Sequence, residues 1–374
     1  MSRPLLALLA ILLSGCTDHT LDGLFWENEG AYSIDDYHGL PLYQGAAPPV
    51  WHDEDSAERR LYIEVPSGLM LSDAMPPASG EFLHAVFIPA PSACPVEECP
   101  LADSGVTFLY QHGNSGDLFR YWYRAVSLWT TGANVLIYTY RGFGISSGDV
   151  TRANVLEDAE TAMTYLLGRS DVDPTRIIPY GYSTGAIPSS WLAAQTDWAP
   201  DYPGLVLESA LDSIESVLAI GAGTEFPEGF FLDTTPFDGP VFLDEGDLTA
   251  PVLHLWGAQD TRVYREQTER YLAVLHDHDD YTYYIGEDDS ETDEWMEIAG
   301  HRNVPNWPFA ASMHISDYWE VDNPSHCCIH PYEFGESQYE SFLEETGKTT
   351  GADMAAASQQ YRSLISDWVL ERVP

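Results

Sequence analysis

The chain has 374 residues, and its 59 acidic side chains outnumber the 16 basic ones, so its formal net charge is −43 at pH 7. A surface this acidic repels phosphate groups, which excludes nucleic acids as partners and also unassisted docking on anionic lipid. The length is sufficient for a full hydrophobic core, either in one large domain with excursions or in two small ones.

Residues 1–15 have the features of a signal peptide: a positive charge at Arg3 and an apolar run, Leu5 to Leu13, too short to cross a bilayer. The following Leu13-Ser14-Gly15-Cys16 resembles the lipobox of bacterial lipoproteins, which implies cleavage before Cys16 and lipid attachment to it. An ordinary secretory signal with an incidental cysteine is the alternative. Since two or more acyl chains hold a protein at a membrane almost permanently, we expect a lipoprotein of the bacterial cell envelope.

The four cysteines besides Cys16 lie in two close pairs, and an exported compartment favours disulfides. Three connectivities are possible. Bridges Cys94–Cys99 and Cys327–Cys328 are favoured, and cross-links between the two regions are the rival. His326 and His330 flank the second pair and raise the alternative of a metal site. Adjacent cysteines chelate one ion poorly, so we expect no metal and no cofactor.

Beyond a polar, acidic tether over residues 16–60, strand-like runs alternate with helical patterns. This alternation predicts an α/β domain over residues 61–374, with a mainly parallel sheet flanked by helices. The predicted strands are Leu61 to Val65, Phe82 to Ile88, Val106 to Gln111, Asn134 to Tyr140, Ile177 to Tyr180, Leu205 to Leu207, Pro251 to Trp256 and Tyr281 to Ile285. The predicted helices are Phe119 to Thr130, Val155 to Leu167, Ala186 to Ala194 and Val263 to His276.

Two stretches without clear periodicity interrupt this alternation. Residues 211–248 are rich in Gly, Phe and Asp and are interpreted as a short lid, and residues 302–350 as an irregular insertion. The chain is then expected to close with an amphipathic helix over residues 353–371 that docks on the sheet.

The most informative motif is Gly181-Tyr182-Ser183-Thr184-Gly185, at the junction of a predicted strand and a predicted helix. A G-x-S-x-G at such a turn projects a serine hydroxyl from the top of a parallel sheet, the nucleophile elbow. A second match, Gly144 to Gly148, lies in a loop too glycine-rich to start a helix at once. We therefore predict Ser183 as the nucleophile and Ser146 as a loop residue.

A serine hydroxyl needs a base to take its proton and an acid to orient that base, in the chain order Ser, Asp or Glu, His. Asp260 follows the strand that ends at Trp256, and His301 follows the next strand on a glycine turn. A helix cap is the structural alternative for Asp260. The remaining alternatives are Asp212 as the acid and His276, His278 or His314 as the base.

The tetrahedral intermediate of acyl transfer needs hydrogen-bond donors aimed at its oxyanion. One expected donor is the main-chain N–H of Thr184, at the N-terminus of a helix. The other is the main-chain N–H of Asn114, in the turn His112-Gly113-Asn114 after a predicted strand. The plain alternative is a strand-to-helix turn without a catalytic role.

Together these motifs resemble the α/β-hydrolase superfamily, from about Phe82 to His301 plus the final helix, and most closely its serine-aminopeptidase-like and monoglyceride-lipase-like branch. The resemblance also covers the loop from Tyr140 to Ser146. It implies a triad of Ser183, Asp260 and His301, with Asn114 and Thr184 as oxyanion donors. The chain departs from the family in Ala186-Ile187-Pro188 after the elbow, in its short lid and in its long insertion, so substrate preference is not carried over.

The expected substrate is a small-molecule ester, because the phenylalanines of the lid offer apolar surface over the serine. These are Phe226, Phe230, Phe231, Phe237 and Phe242. The first alternative is an aminopeptidase-like enzyme, in which Glu208 or Asp212 would hold the free amine of a peptide. A binding lipoprotein that has the fold without catalysis is the alternative from another class.

Overall fold

The computed structural model describes residues 60–65, 80–91, 99–114, 117–195, 203–222, 236–246, 248–257, 263–276, 281–286 and 362–373. Their centre is one eight-stranded sheet in the order β1-β2-β4-β3-β5-β6-β7-β8. Strand β2 pairs antiparallel with both β1 and β4, and every other pairing is parallel. The expected fold class, α/β with a mainly parallel sheet flanked by helices, is confirmed.

The strands lie within two residues of the predicted bounds at either end. They are β1 Arg60–Val65, β2 Glu81–Ile88, β3 Thr107–Gln111, β4 Asn134–Tyr138, β5 Ile177–Tyr182, β6 Leu205–Glu208, β7 Val252–Gly257 and β8 Tyr281–Gly286.

The helices follow the strands as the alternating pattern predicts. They are α1 Leu118–Trp129, α2 Arg152–Leu167, α3 Ala186–Ala194, α4 Ile214–Ala222, α5 Gly239–Glu245, α6 Arg265–Leu275 and a final helix, α7, over residues 362–370. Helix α2 begins where the Thr151 hydroxyl accepts from the N–H of Asn154, an N-cap that satisfies one free donor of the first turn. In the described ranges no helix is long and apolar enough to cross a membrane.

The sheet separates two hydrophobic clusters because successive strand residues point to opposite faces. Leu109 of β3 belongs to the cluster that α2, α3 and α6 cover. Its neighbours Phe108 and Tyr110 belong to the cluster that α1 and the final helix cover, where Ile365 and Trp368 pack. Burial on both faces explains why the inner strands are near-continuous apolar runs.

The stretch interpreted as a lid contains two helices that periodicity did not reveal, α4 and α5. Both Phe237 and Phe242 are buried in the core, with the Phe242 ring edge-on to Trp191 at 5.0 Å between centroids. The Phe242 ring therefore packs α5 against Trp191 of α3, and both rings are part of the core. The other three phenylalanines of this stretch lie outside the described residues.

The N-terminal region and the irregular insertion also fall outside the described residues, with Cys16, Cys94, Cys327 and Cys328 among them. Cys99 is buried and disulfide-bonded. Its partner is not among the described residues, so the connectivity stays a prediction.

Candidate active site

Ser183 lies directly after β5, at the start of a short 3-10 turn, Ser183–Gly185, that leads into α3. Its φ is 54°, the left-handed region that non-glycine residues rarely adopt. This is the strand–turn–helix context of a nucleophile elbow.

Two glycines permit this sharp turn, since a side chain at either position has no room. A Cβ on Gly181 would lie 2.4 Å from Cα of Ala186, and one on Gly185 would lie 2.1 Å from the carbonyl oxygen of Gln111. The first and last glycines of the motif thus bring α3 against the ends of β5 and β3.

The turn after β3 lies beside Ser183, because β3 and β5 are paired with Gln111 opposite Gly181. A Cβ on Gly113 would lie 3.3 Å from Cβ of Ser183 and 2.9 Å from the hydroxyl oxygen of Tyr121. The backbone that leads to Asn114 therefore passes close to the Ser183 side chain.

His112 stabilises this loop. Its Nδ1 lies 2.7 Å from the carbonyl oxygen of Gly113, so this nitrogen donates, and the Tyr140 hydroxyl donates to the carbonyl oxygen of His112 at 3.0 Å. The ring packs between Tyr121 and Tyr140. Complete burial lowers the pKa of His112 to about 4, so the imidazole is neutral at pH 7 and holds the loop without adding charge.

The second G-x-S-x-G match has no such turn. The Ser146 hydroxyl accepts from the N–H of His84 at 2.9 Å and donates to the carbonyl oxygen of Thr139 at 2.7 Å. These two bonds occupy the hydroxyl in joining the loop to β2 and to the end of β4. Ser146 is thus placed as a buried structural residue.

The loop from Arg141 to Gly144 is held through the Arg141 side chain. Its Nε donates to Oδ1 of Asp158 at 2.6 Å, and its terminal nitrogens contact Glu81 at 2.8 Å and Glu157 at 2.5 Å. Asp158 also accepts from the N–H of Arg141 at 2.8 Å. One buried guanidinium therefore ties the loop to α2 and β2.

Glu208 lies at the C-terminal end of β6, next to the end of β5, and is completely buried. It accepts from Arg124 of α1 at 2.6 Å and from the Tyr180 hydroxyl at 2.5 Å, while the Arg124 guanidinium lies 3.7 Å from the Tyr182 ring centroid. The charge of this carboxylate is balanced by an arginine on the α1 side of the sheet.

Asp212, the alternative acid, is also buried and paired. Its carboxylate accepts from the N–H of Ser213 at 2.6 Å, from Gln267 at 3.0 Å and from Arg270 at 2.7 Å, and it also contacts the Ser216 hydroxyl. Every one of these partners lies in α4, in α6 or in the turn before α4. The carboxylate thus joins α6 to the segment that follows β6.

The structure brings Ser183, Thr184 and the His112 to Asn114 turn together at the C-terminal edge of the sheet, where parallel sheets gather their ligands. Asp260 and His301 lie outside the described residues. Their catalytic roles therefore stay predictions from the sequence.

Sequence reasoning missed the left-handed Ser209 after β6 and the arginines that pair with Glu208 and Asp212. The scarcity of basic residues was the available signal: with 16 basic against 59 acidic residues, few carboxylates can form an ion pair.

The comparison with known proteins gives a partial match. A family model described as "Chlamydia CHLPS protein (DUF818)" matches residues 109–196, which contain both the His112-Gly113 turn and the Ser183 elbow. A Mycobacterium tuberculosis protein described as "Uncharacterized protein Rv2307c" is 34% identical over 171 residues, which cover 46% of this chain and 58% of the relative. The human "Alpha/beta hydrolase domain-containing protein 17B" is 32% identical over 170 residues, which cover 45% of this chain and 54% of the relative.

The chain thus spans a little over half the length of these curated relatives. Among solved structures, an alpha-beta hydrolase from Vibrio vulnificus is similar with a TM-score of 0.45 and 16% identity, over 73% of this chain and 93% of that one. The assignment of the fold rests on this chain's own strand order and strand directions.

Proposed function

We propose that this chain is an exported, membrane-anchored serine hydrolase that cleaves small to medium carboxylic esters through an acyl-enzyme intermediate. The observation that carries the proposal is the left-handed Ser183 at the end of β5, with the Gly113 backbone against its side chain. Strained residues of this kind cluster at active sites.

In the proposed reaction the Ser183 hydroxyl attacks the ester carbonyl while His301 takes its proton, and Asp260 orients the imidazole. Collapse of the tetrahedral intermediate breaks the C–O bond, and His301 returns the proton to the departing alcohol. Water then attacks the acyl-serine by the same route, which releases the acid and restores the serine hydroxyl.

The developing oxyanion is stabilised in this proposal by the main-chain N–H groups of Thr184 and Asn114. Thr184 lies in the turn that begins α3, where the helix dipole favours negative charge. Loss of one such donor typically costs about 100- to 1,000-fold in kcat.

Esters are favoured over peptides with a free amine because the two candidate carboxylates for an ammonium group are paired internally. Glu208 is bonded to Arg124 and Asp212 to Arg270. An amine would have to displace a guanidinium from either carboxylate, and the one that pairs with Glu208 is itself buried.

The test combines an active-site probe with a substrate panel. A fluorophosphonate should label the wild type and not Ser183→Ala. Hydrolysis of p-nitrophenyl butyrate or hexanoate should exceed that of alanine or proline anilides by at least about 100-fold, about 2.7 kcal/mol of transition-state preference.

Faster cleavage of the anilides, abolished when their amine is acetylated, would establish an aminopeptidase instead. A folded wild type that neither takes the probe nor turns over any substrate would contradict the proposed hydrolase and favour the binding lipoprotein.

The export half of the proposal rests on the sequence around Cys16 and is tested separately. In a bacterial host, Cys16→Ala should release the protein from the membrane fraction or leave its signal peptide uncleaved. A variant that is still membrane-bound and normally processed would show that the anchor lies elsewhere.

A further inference from the structure

The segment after β6, residues 209–213, runs directly against the nucleophile turn and is here called the β6 turn. It begins at Ser209, whose φ is 43°. The N–H of Ser209 donates to Leu255 of β7 at 2.8 Å, and two residues later the N–H of Leu211 donates to the carbonyl oxygen of Ser183 at 3.1 Å. The β6 turn is therefore bonded to the backbone of Ser183 and lies beside it.

The left-handed backbone of Ser209 persists only where the surrounding structure holds it. Helix α6 holds the residues that directly follow it. The Tyr271 hydroxyl donates to the carbonyl oxygen of Leu211 at 3.1 Å, and the carboxylate of Asp212 accepts from Gln267 at 3.0 Å and from Arg270 at 2.7 Å.

Arg270 also reaches a second element. Its other terminal nitrogen donates to Oδ2 of Asp238 at 2.6 Å, and Oδ1 of Asp238 accepts from the N–H of Val241 as the N-cap of α5. Ser213 and Asp238 form an antiparallel backbone bridge, and the N–H of Gly239 donates to the carbonyl oxygen of Asp212 at 2.8 Å. One guanidinium thus joins the β6 turn to the start of α5.

We propose that Arg270 is a positioning residue that holds the β6 turn in place as the wall of the acyl pocket beside Ser183, and so sets which acyl chains bind. This inference rests on the proposed ester hydrolysis. Without the guanidinium, the carboxylates of Asp212 and Asp238 repel each other across the junction. The wall then loosens while Ser183 stays fixed by its glycine contacts with β3 and α3.

The variant Arg270→Gln removes the positive charge. The variant Arg270→Lys keeps the charge but has one ammonium group in place of the two terminal nitrogens that contact Asp212 and Asp238. The matched control is Arg265→Gln on the same helix, whose guanidinium pairs with Glu269 at 3.3 Å near the surface. In Arg270→Gln we expect KM for p-nitrophenyl hexanoate to rise about 10-fold, with kcat on the acetate ester within about 3-fold of wild type. The lysine variant should recover part of the KM, and the control should leave both parameters unchanged.

Hydrogen–deuterium exchange provides a readout that does not depend on catalysis. The amide of Leu211 should exchange faster in Arg270→Gln than in Arg265→Gln, because its bond to Ser183 opens more often. Equal exchange in the two variants overturns the inference, and so does an active Arg270→Gln with an unchanged KM or with kcat lowered equally for every ester. A wild type without any hydrolysis would instead contradict the proposed function, and the exchange comparison would still decide whether Arg270 holds the wall.

Discussion

At the scale of single residues, the candidate site depends on glycines, whose lack of a side chain allows backbone segments to approach closely. Gly113, Gly181 and Gly185 each lie where a Cβ would come within 3.3 Å of a neighbour or closer. Backbone contacts of this kind bring β3, β5 and α3 close enough for the Asn114 turn and the Ser183 turn to meet.

Gly185→Ala should be severely damaging, because its Cβ would lie 2.1 Å from the Gln111 carbonyl oxygen and the backbone on both sides would have to move. We expect destabilisation of at least about 1–3 kcal/mol and a loss of activity of about 100-fold, as shifts of 1 Å at a reacting centre can produce. Urea unfolding and initial rates measure the two effects.

The control is Gly105→Ala, where a Cβ meets only the Arg176 side chain, at 3.5 Å, and the cost is that of a left-handed φ of 68°. It should lose about 1 kcal/mol of stability at an unchanged specific activity. A Gly185→Ala variant that is as active as Gly105→Ala would show that the close approach of α3 to the end of β3 does not require a glycine at position 185.

Ser146→Ala tests the second serine motif. The change leaves the buried N–H of His84 without its acceptor, so we expect a loss of about 1–3 kcal/mol in unfolding free energy. Fluorophosphonate labelling of the folded variant should equal that of the wild type. Loss of labelling in a fully folded Ser146→Ala would move the nucleophile to this loop.

At the scale of elements, buried ion pairs join segments that are far apart in the chain. The Arg124–Glu208 pair joins α1 to β6, and the Tyr180 hydroxyl joins β5 to the same carboxylate. These contacts hold α1 against β6 and against β5, the strand that ends directly before Ser183.

Glu208→Gln keeps the shape of the side chain and removes the negative charge that faces the buried Arg124 guanidinium. We expect a loss of about 3–5 kcal/mol in unfolding free energy. The exposed partner of Arg169, Asp171, supplies the control: Asp171→Asn should cost less than about 1 kcal/mol. Similar losses in the two variants would show that the buried pair contributes no more than a surface one.

At the scale of the whole molecule, stability depends on how protonation differs between the folded and unfolded chain. His254 of β7 is completely buried, and desolvation lowers its pKa from 6.5 to about 3. In the unfolded chain this imidazole binds a proton below about pH 6.5, whereas in the folded chain it stays neutral. The buried imidazole therefore imposes no pH-dependent cost above about pH 6.5, and the free energy of unfolding decreases as the pH falls from there towards 3.

We expect the wild type to lose about 1.4 kcal/mol per pH unit relative to His254→Gln between about pH 6 and 4. The 59 carboxylates titrate alike in both proteins and cancel in the difference. Urea unfolding at constant ionic strength measures both proteins, and parallel curves for wild type and His254→Gln would contradict this expectation.

The sequence by itself determined the alternation of strands and helices and the position of the elbow around Ser183. Both are local: side-chain periodicity within a strand or helix and two glycines around a serine specify them without distant contacts. Helices α4 and α5 escaped detection because the stretch that contains them is rich in Gly, Phe and Asp and shows no clear period.

Only the tertiary structure decided which charges pair and which aromatic rings are buried. Arg270 and Asp212 are 58 residues apart, and Arg124 and Glu208 are 84 apart. Among 59 acidic residues nothing local distinguishes the two carboxylates that receive these arginines. Such contacts form only when the sheet closes the long loops between them, and the left-handed turn at Ser209 persists for the same reason.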